Sequence, residues 1–162
     1  MTVSNPAKLS SVKAEFGGPN NLTAYYRGGP YVPSDASSTI STTAAGLKLS
    51  QFNGVTKPAA LTASANPSSV SGSRTTAGTV NSTNSLCSAA GTSGTITYLW
   101  QYVSGDSSIA CNTPSSASTV WSGSVGVANP SRSAVWRCKV TNSGNANVAY
   151  SNNVSITLTL AN

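Results

Sequence analysis

The sequence predicts a mainly β protein in two parts: an N-terminal segment of short helical turns and extended loops, then an antiparallel β-sandwich. Three observations predict it. The 162-residue chain carries only 7% charged residues and is rich in Ser, Thr, Asn, Ala and Gly, a composition that disfavours long surface helices, which draw on Glu and Lys. A Leu–hydroxyl–aromatic–Gly spacing recurs three times before residue 57. Beyond it, strand-like alternations recur at regular intervals between Gly, Ser and Asn clusters. The Val, Ile, Tyr and Trp content separates the chain from a disordered one.

The first part is organised by that spacing. Leu9-Ser10 leads to Phe16-Gly17, Leu22-Thr23 to Tyr25-Tyr26-Arg27-Gly28, and Leu49-Ser50 to Phe52-Asn53-Gly54. Each unit reads as a helix of one or two turns. The hydroxyl residue is expected to cap the free N–H groups, and the glycine to supply a left-handed exit. Leu and the aromatic then share one face. A helix that short does not stand alone, so the apolar face is expected to be buried against something larger.

In a segment poor in other apolar residues, that larger body is expected to be another protein. The docking residues are then Leu9, Val12, Phe16, Leu22, Tyr25, Tyr26, Arg27, Leu49 and Phe52. Packing of this segment onto the second domain is the competing expectation. Tyr25, Tyr26 and Tyr31 beside Arg27 are a mixture found at protein contacts, at sugar-stacking sites and in local packing under a turn. Lys57-Pro58 is the expected boundary, giving a docking segment 1–57 and a β-domain 58–162.

In the second part, Leu61–Ala63 and Ser69–Ser71 read as a split first strand, and Thr79 to Cys87 as a second. Ile96, Tyr98, Trp100 and Tyr102 alternate along a third, and Thr119–Trp121 suggest a later one. Ala134, Trp136, Cys138 and Val140 alternate with Arg137 and Lys139 pointing the other way. Val154, Ile156, Leu158 and Leu160 close the set. About seven strands in roughly 100 residues is the size of an immunoglobulin-like sandwich. Cys87, Trp100 and Cys138 fall in the order and spacing of the B-strand cysteine, C-strand tryptophan and F-strand cysteine of that fold. Trp136 stands two before the second cysteine, where many such domains place a tyrosine, so the usual corner hydrogen bond is in question. Whether Cys87 and Cys138 are thiols or a disulfide depends on the redox compartment. Cys111 is the odd cysteine, read as an inert loop thiol with competition for a partner as the alternative.

Chemistry is constrained by what is missing. The chain has no histidine and only three acids, Glu15, Asp35 and Asp106, each isolated in sequence. That withholds the commonest general base and the paired carboxylates of glycoside hydrolysis. The cysteines lack zinc spacing, and no glycine pattern cradles phosphate. The chain is therefore expected to be non-enzymatic, with no cofactor and no metal. The net charge of +6 is spread along the chain, whereas a nucleic-acid surface concentrates its cations. No stretch has the length of a signal core or a membrane span, so the chain is expected to be a complete cytoplasmic product with no membrane insertion.

The stretch KLSSVKAEFGG, then LTAYYRGGPYVP, then GLKLSQFNGVTKP resembles a segment of structural proteins of tailed bacteriophages. The matching positions are Ser11, Val12, Glu15, Phe16, Gly17, Tyr25, Tyr26, Arg27, Gly28, Gly29, Val32, Pro33, Ser50, Phe52 and Gly54, within residues 8–56. The second part resembles, more loosely, the Ig-like domains appended to virion proteins. The resemblance implies a virion component of tail, neck, capsid or fibre. It would be made in the host cytoplasm and be extracellular after lysis. Its partners would be other virion proteins and symmetric copies of itself, with a host-surface glycan as a further ligand and no nucleic acid. A carbohydrate-binding module with no virion role is the alternative.

Overall fold

A computed structural model describes residues 1–91, 94–144 and 146–161. The chain forms two compact units, residues 1–60 with Gly91, and a second from Leu61 onward. The division falls three residues beyond the expected boundary.

In the first unit the three repeated spacings each make a helix: α1 (Leu9–Phe16), then 3-10 turns at Leu22–Ala24 and Leu49–Phe52. A further 3-10 turn spans Ala44–Gly46. The glycines leave each unit at positive φ, 75° at Gly17, 82° at Gly28 and 65° at Gly54. The caps differ from the expected Ser10, Thr23 and Ser50. Ser11 Oγ accepts the Lys8 N–H at 3.2 Å, and Gln51 Oε1 accepts the Lys48 N–H at 3.1 Å. Asn21 Oδ1 accepts the Thr23 N–H at 3.1 Å. At α1 and the Leu49 turn, the residue three beyond the cap reaches back to the cap's N–H, the returning half of a capping box.

The ends of this unit meet. Val3 N–H donates to Val55 O at 2.8 Å within an antiparallel bridge from Thr2 to Thr56. Glu15 reinforces the closure: its carboxylate accepts the Lys57 N–H at 2.7 Å and lies 3.4 Å from the Met1 amino group.

The second unit is a β-sandwich of eleven strands among the described residues. They are β1 (Thr62–Asn66), β2 (Ser69–Arg74), β3 (Gly78–Asn81), β4 (Ser85–Ala90), β5 (Ile96–Gly105) and β6 (Ala110–Cys111), then β7 (Ser118–Thr119), β8 (Trp121–Val125), β9 (Ser131–Asn142), β10 (Val148–Tyr150) and β11 (Val154–Leu160). One layer pairs β1-β4-β7 and β3-β8-β6. Its halves join where Ser82 N–H donates to Trp121 O at 2.8 Å and Ser82 Oγ accepts the Trp121 N–H at 3.0 Å. The other layer centres on β9, with β5 along one side and β10 then β11 along the other. β2 lies beyond β11 and runs parallel to it.

This is the ABED/CFG arrangement of an Ig-like fold. The split first strand, the long third strand and the closing strand stand where the sequence places them. β6 and β10, two and three residues long, are additions.

Between the layers, Cys87, Trp100, Trp121, Cys138, Val140, Ile156 and Leu158 share one buried cluster. Trp100 and Trp121 meet edge to face at 5.1 Å, and Trp121 and Trp136 lie 6.4 Å apart. Such aromatic pairs add to the area they bury. Trp136 Nε1 is buried without a hydrogen-bond partner, so tryptophan packs at the corner position without replacing the tyrosine's bond.

Candidate functional site

The expected docking residues occupy the interior of their own unit. Val12, Phe16, Tyr25 and Phe52 are buried in a cluster with Val3, Val32, Ala36, Ile40 and Val55, while Leu9, Leu22 and Leu49 pack against it half-buried. Phe16 meets Phe52 edge to face at 6.2 Å. This corrects the expectation that these side chains fill a groove elsewhere. The reason is physical: Val3, Val32, Ile40 and Val55 come from loops with no periodicity, and together they supply the partner face that the short helices lack.

The tyrosine cluster is local packing as well. Tyr25 is fully buried, donates its hydroxyl to Pro19 O at 2.7 Å and lies 5.7 Å from the Tyr31 ring. Burial, with the neighbouring Tyr31, pushes its phenol pKa up. Tyr26 is half-buried over Gly29. Arg27 is half-buried, with its backbone N–H bonded to Ser41 O at 2.8 Å and its Nε buried without a partner.

Cys87, Trp100 and Cys138 do come together in the sandwich. Trp100 Nε1 donates to Ser116 O at 3.0 Å. Both cysteines are buried free thiols. Cys138 Sγ lies 3.7 Å from Lys139 O; interaction between the two thiols raises the pKa of Cys138, with burial adding, and lowers that of Cys87. Cys111 is half-buried, its Sγ 3.2 Å from Thr119 Oγ1, and burial pushes its thiol pKa up.

Among the described residues no three His, Cys, Asp or Glu gather. Asp106 is held by the Ser108 hydroxyl at 2.6 Å and by Arg132 Nη1 at 2.6 Å. Its pKa falls from the ordinary 3.8 to about 2, chiefly through Ser108 and then Arg132.

The surface most equipped for contact is the outward face of the β9 sheet. Alternation sends Cys138 and Val140 inward and Arg137, Lys139 and Thr141 outward. Register then sets Leu99 and Tyr150 on either side of Lys139, Gln101 beside Arg137, and Thr97 and Val148 on either side of Thr141. Leu99, Val148 and Tyr150 are 45%, 44% and 46% exposed, three large apolar side chains on one side of a sheet. The Arg137 guanidinium stacks on the Tyr150 ring, 4.3 Å from its centroid. Arg137 and Lys139 were legible as outward-pointing. Leu99 and Tyr150 were not joined to them, because only the pairing of β5 and β10 with β9 brings the four together.

The chain matches no protein-family model and no curated protein. Among solved structures it is similar to a PKD domain of human KIAA0319, at TM-score 0.42 and 14% identity over 63% of this chain and 83% of that one. It is also similar to the N-terminal four Ig domains of Dscam1, at TM-score 0.37 and 17% identity over 64% of this chain and 22% of that one.

Proposed function

We propose that the protein is a non-enzymatic structural component of a tailed-phage particle, attached by its N-terminal unit and displaying the Ig-like sandwich. One observation carries the reading: the residues of the phage-protein resemblance are those that build and close the first unit. Val12, Phe16, Tyr25, Val32 and Phe52 are its core. Ser11 caps α1, Glu15 ties Lys57, and Gly17, Gly28 and Gly54 turn the chain at positive φ. The shared pattern thus supplies much of the module's core and its glycine turns, which fits a part reused on different virion proteins.

Attachment then uses the module's exterior. Lys8, Lys13, Lys48 and Lys57 are exposed on it, and cations suit a neighbouring acidic protein surface. Repeated sites on a particle favour symmetric contacts between copies.

The experiment is mass spectrometry of gradient-purified particles from the phage that encodes the full chain. The expected result is a fixed copy number per particle that falls on a high-salt wash, as a contact between lysines and an acidic surface requires. Presence in the lysate with absence from the particles overturns the reading.

A further inference from the structure

The sandwich carries four cations, Arg74, Arg132, Arg137 and Lys139, against a single acid, Asp106. Asp106 is engaged by Arg132, and Arg74 is turned to the Thr79 carbonyl and the Thr76 hydroxyl. Arg137, stacked on Tyr150, and Lys139 share one face, half-exposed and two residues apart on β9, and so about 7 Å apart along the strand. No acid shares that face among the described residues. Its complement is a polyanion.

The rest of the face narrows the class of polyanion. Towards β11 and β2 the outward positions are hydroxyl residues in paired rows, Ser155 beside Ser69, Thr157 beside Ser71 and Thr159 beside Ser73. β9 is paired along both edges, so contact on its outward face is made by side chains. Hydroxyls, an exposed aromatic and two cations on a sheet face suit a hydroxylated ring that bears acid groups.

We propose that this face binds a linear anionic polysaccharide: Arg137 and Lys139 take its carboxylate or sulfate groups, and Tyr150 and Leu99 the apolar side of its rings. This gives the sandwich a ligand, and it goes beyond the reading above without resting on carriage by a particle.

The test is affinity electrophoresis of the full chain through gels containing polygalacturonate, dextran sulfate or neutral dextran, with poly-L-glutamate as a soluble competitor. The expected result is retardation by either anionic polymer and none by neutral dextran. Lys139→Gln and Tyr150→Ala should each weaken binding about tenfold, while Tyr150→Phe keeps it and Lys13→Gln, on the other unit, leaves it unchanged. Retardation by one anionic polymer alone supports the proposal and distinguishes carboxylate from sulfate. Unchanged tryptophan fluorescence in each variant assigns the loss to the face. Absence of retardation overturns the proposal, as does equal weakening by Lys13→Gln. Full competition by poly-L-glutamate with no dependence on Tyr150 also overturns it, in favour of an acidic protein partner. Absence from particles would leave a positive binding result standing, and absence of binding would leave particle association standing.

Discussion

The ring of Tyr31 lies so close over Gly18 that a Cβ on that glycine would stand 2.7 Å from it. Gly18 also sits at φ +95°, so both space and backbone demand glycine. Two parts of the recurring pattern, the glycines after Phe16 and the tyrosine-rich stretch, are thus two sides of one contact.

Gly18→Ala should therefore destabilise the first unit by roughly 1–3 kcal/mol through backbone strain, with the ring overlap added. Gly54→Ala meets open space at φ +65° and should cost only about 1–2 kcal/mol. Amide hydrogen exchange in residues 1–57 would rank the two, and equal effects would refute the packing contribution.

Phe52→Ala should cost about 3–5 kcal/mol, the range for a fully buried aromatic. Loss of exchange protection in the first unit, with the sandwich unchanged, is the expected outcome. An intact first unit would restore the reading of Phe52 as a docking side chain. The two units are separable optically, because Trp100, Trp121 and Trp136 all lie in the sandwich.

The contrast between these two variants shows what the sequence conveys. The three helices, their glycine exits and the main strands were legible because each rests on local chemistry: capping, left-handed φ, or alternation. The interior of the first unit was not, since Val3, Val32, Ile40 and Val55 are isolated apolar residues that meet only when the Thr2–Thr56 bridge closes. Gln51 was likewise hidden. Its side chain bonds Lys48 N–H, Gly46 O and Ser41 N–H, and no spacing announces a three-way tie. On the sandwich, the direction of Arg137 and Lys139 was legible, but the position of Tyr150 beside Lys139 depends on a three-residue strand.

Gln51→Ala should remove that tie and cost about 1–2 kcal/mol, within the range for a lost cap. Chemical-shift changes should reach Ser41 and Gly46 as well as Lys48. Changes confined to residues 48–52 would count against the tie.

The acid limb of sandwich stability should depend on Asp106. Its folded pKa lies near 2, below the ordinary 3.8, so the unfolded chain takes up the proton first. The contribution is fully present above pH 3.8 and is lost as pH falls through about 2. Asp106→Asn should flatten the pH dependence of the tryptophan-fluorescence midpoint across that window, and an unchanged slope would exclude Asp106 as its source.

Oxidation should close Cys87 to Cys138 and stabilise the sandwich by about 2–4 kcal/mol, the usual scale for a bond across such a loop, read as a raised unfolding midpoint. Mass spectrometry after mild oxidation should find that pair bonded and Cys111 alkylatable. A disulfide that includes Cys111 would overturn this prediction.

The parallel pairing of β2 with β11 has a mechanical consequence. Six registered residue pairs, from Ser69 with Ser155 to Arg74 with Leu160, join the second strand of the sandwich to its last. A pull between residues 61 and 160 drags these strands past one another lengthwise. Their hydrogen bonds are then loaded together in shear, whereas a hairpin pulled at its open end parts one rung at a time. The domain is built to bear tension along the line joining its ends.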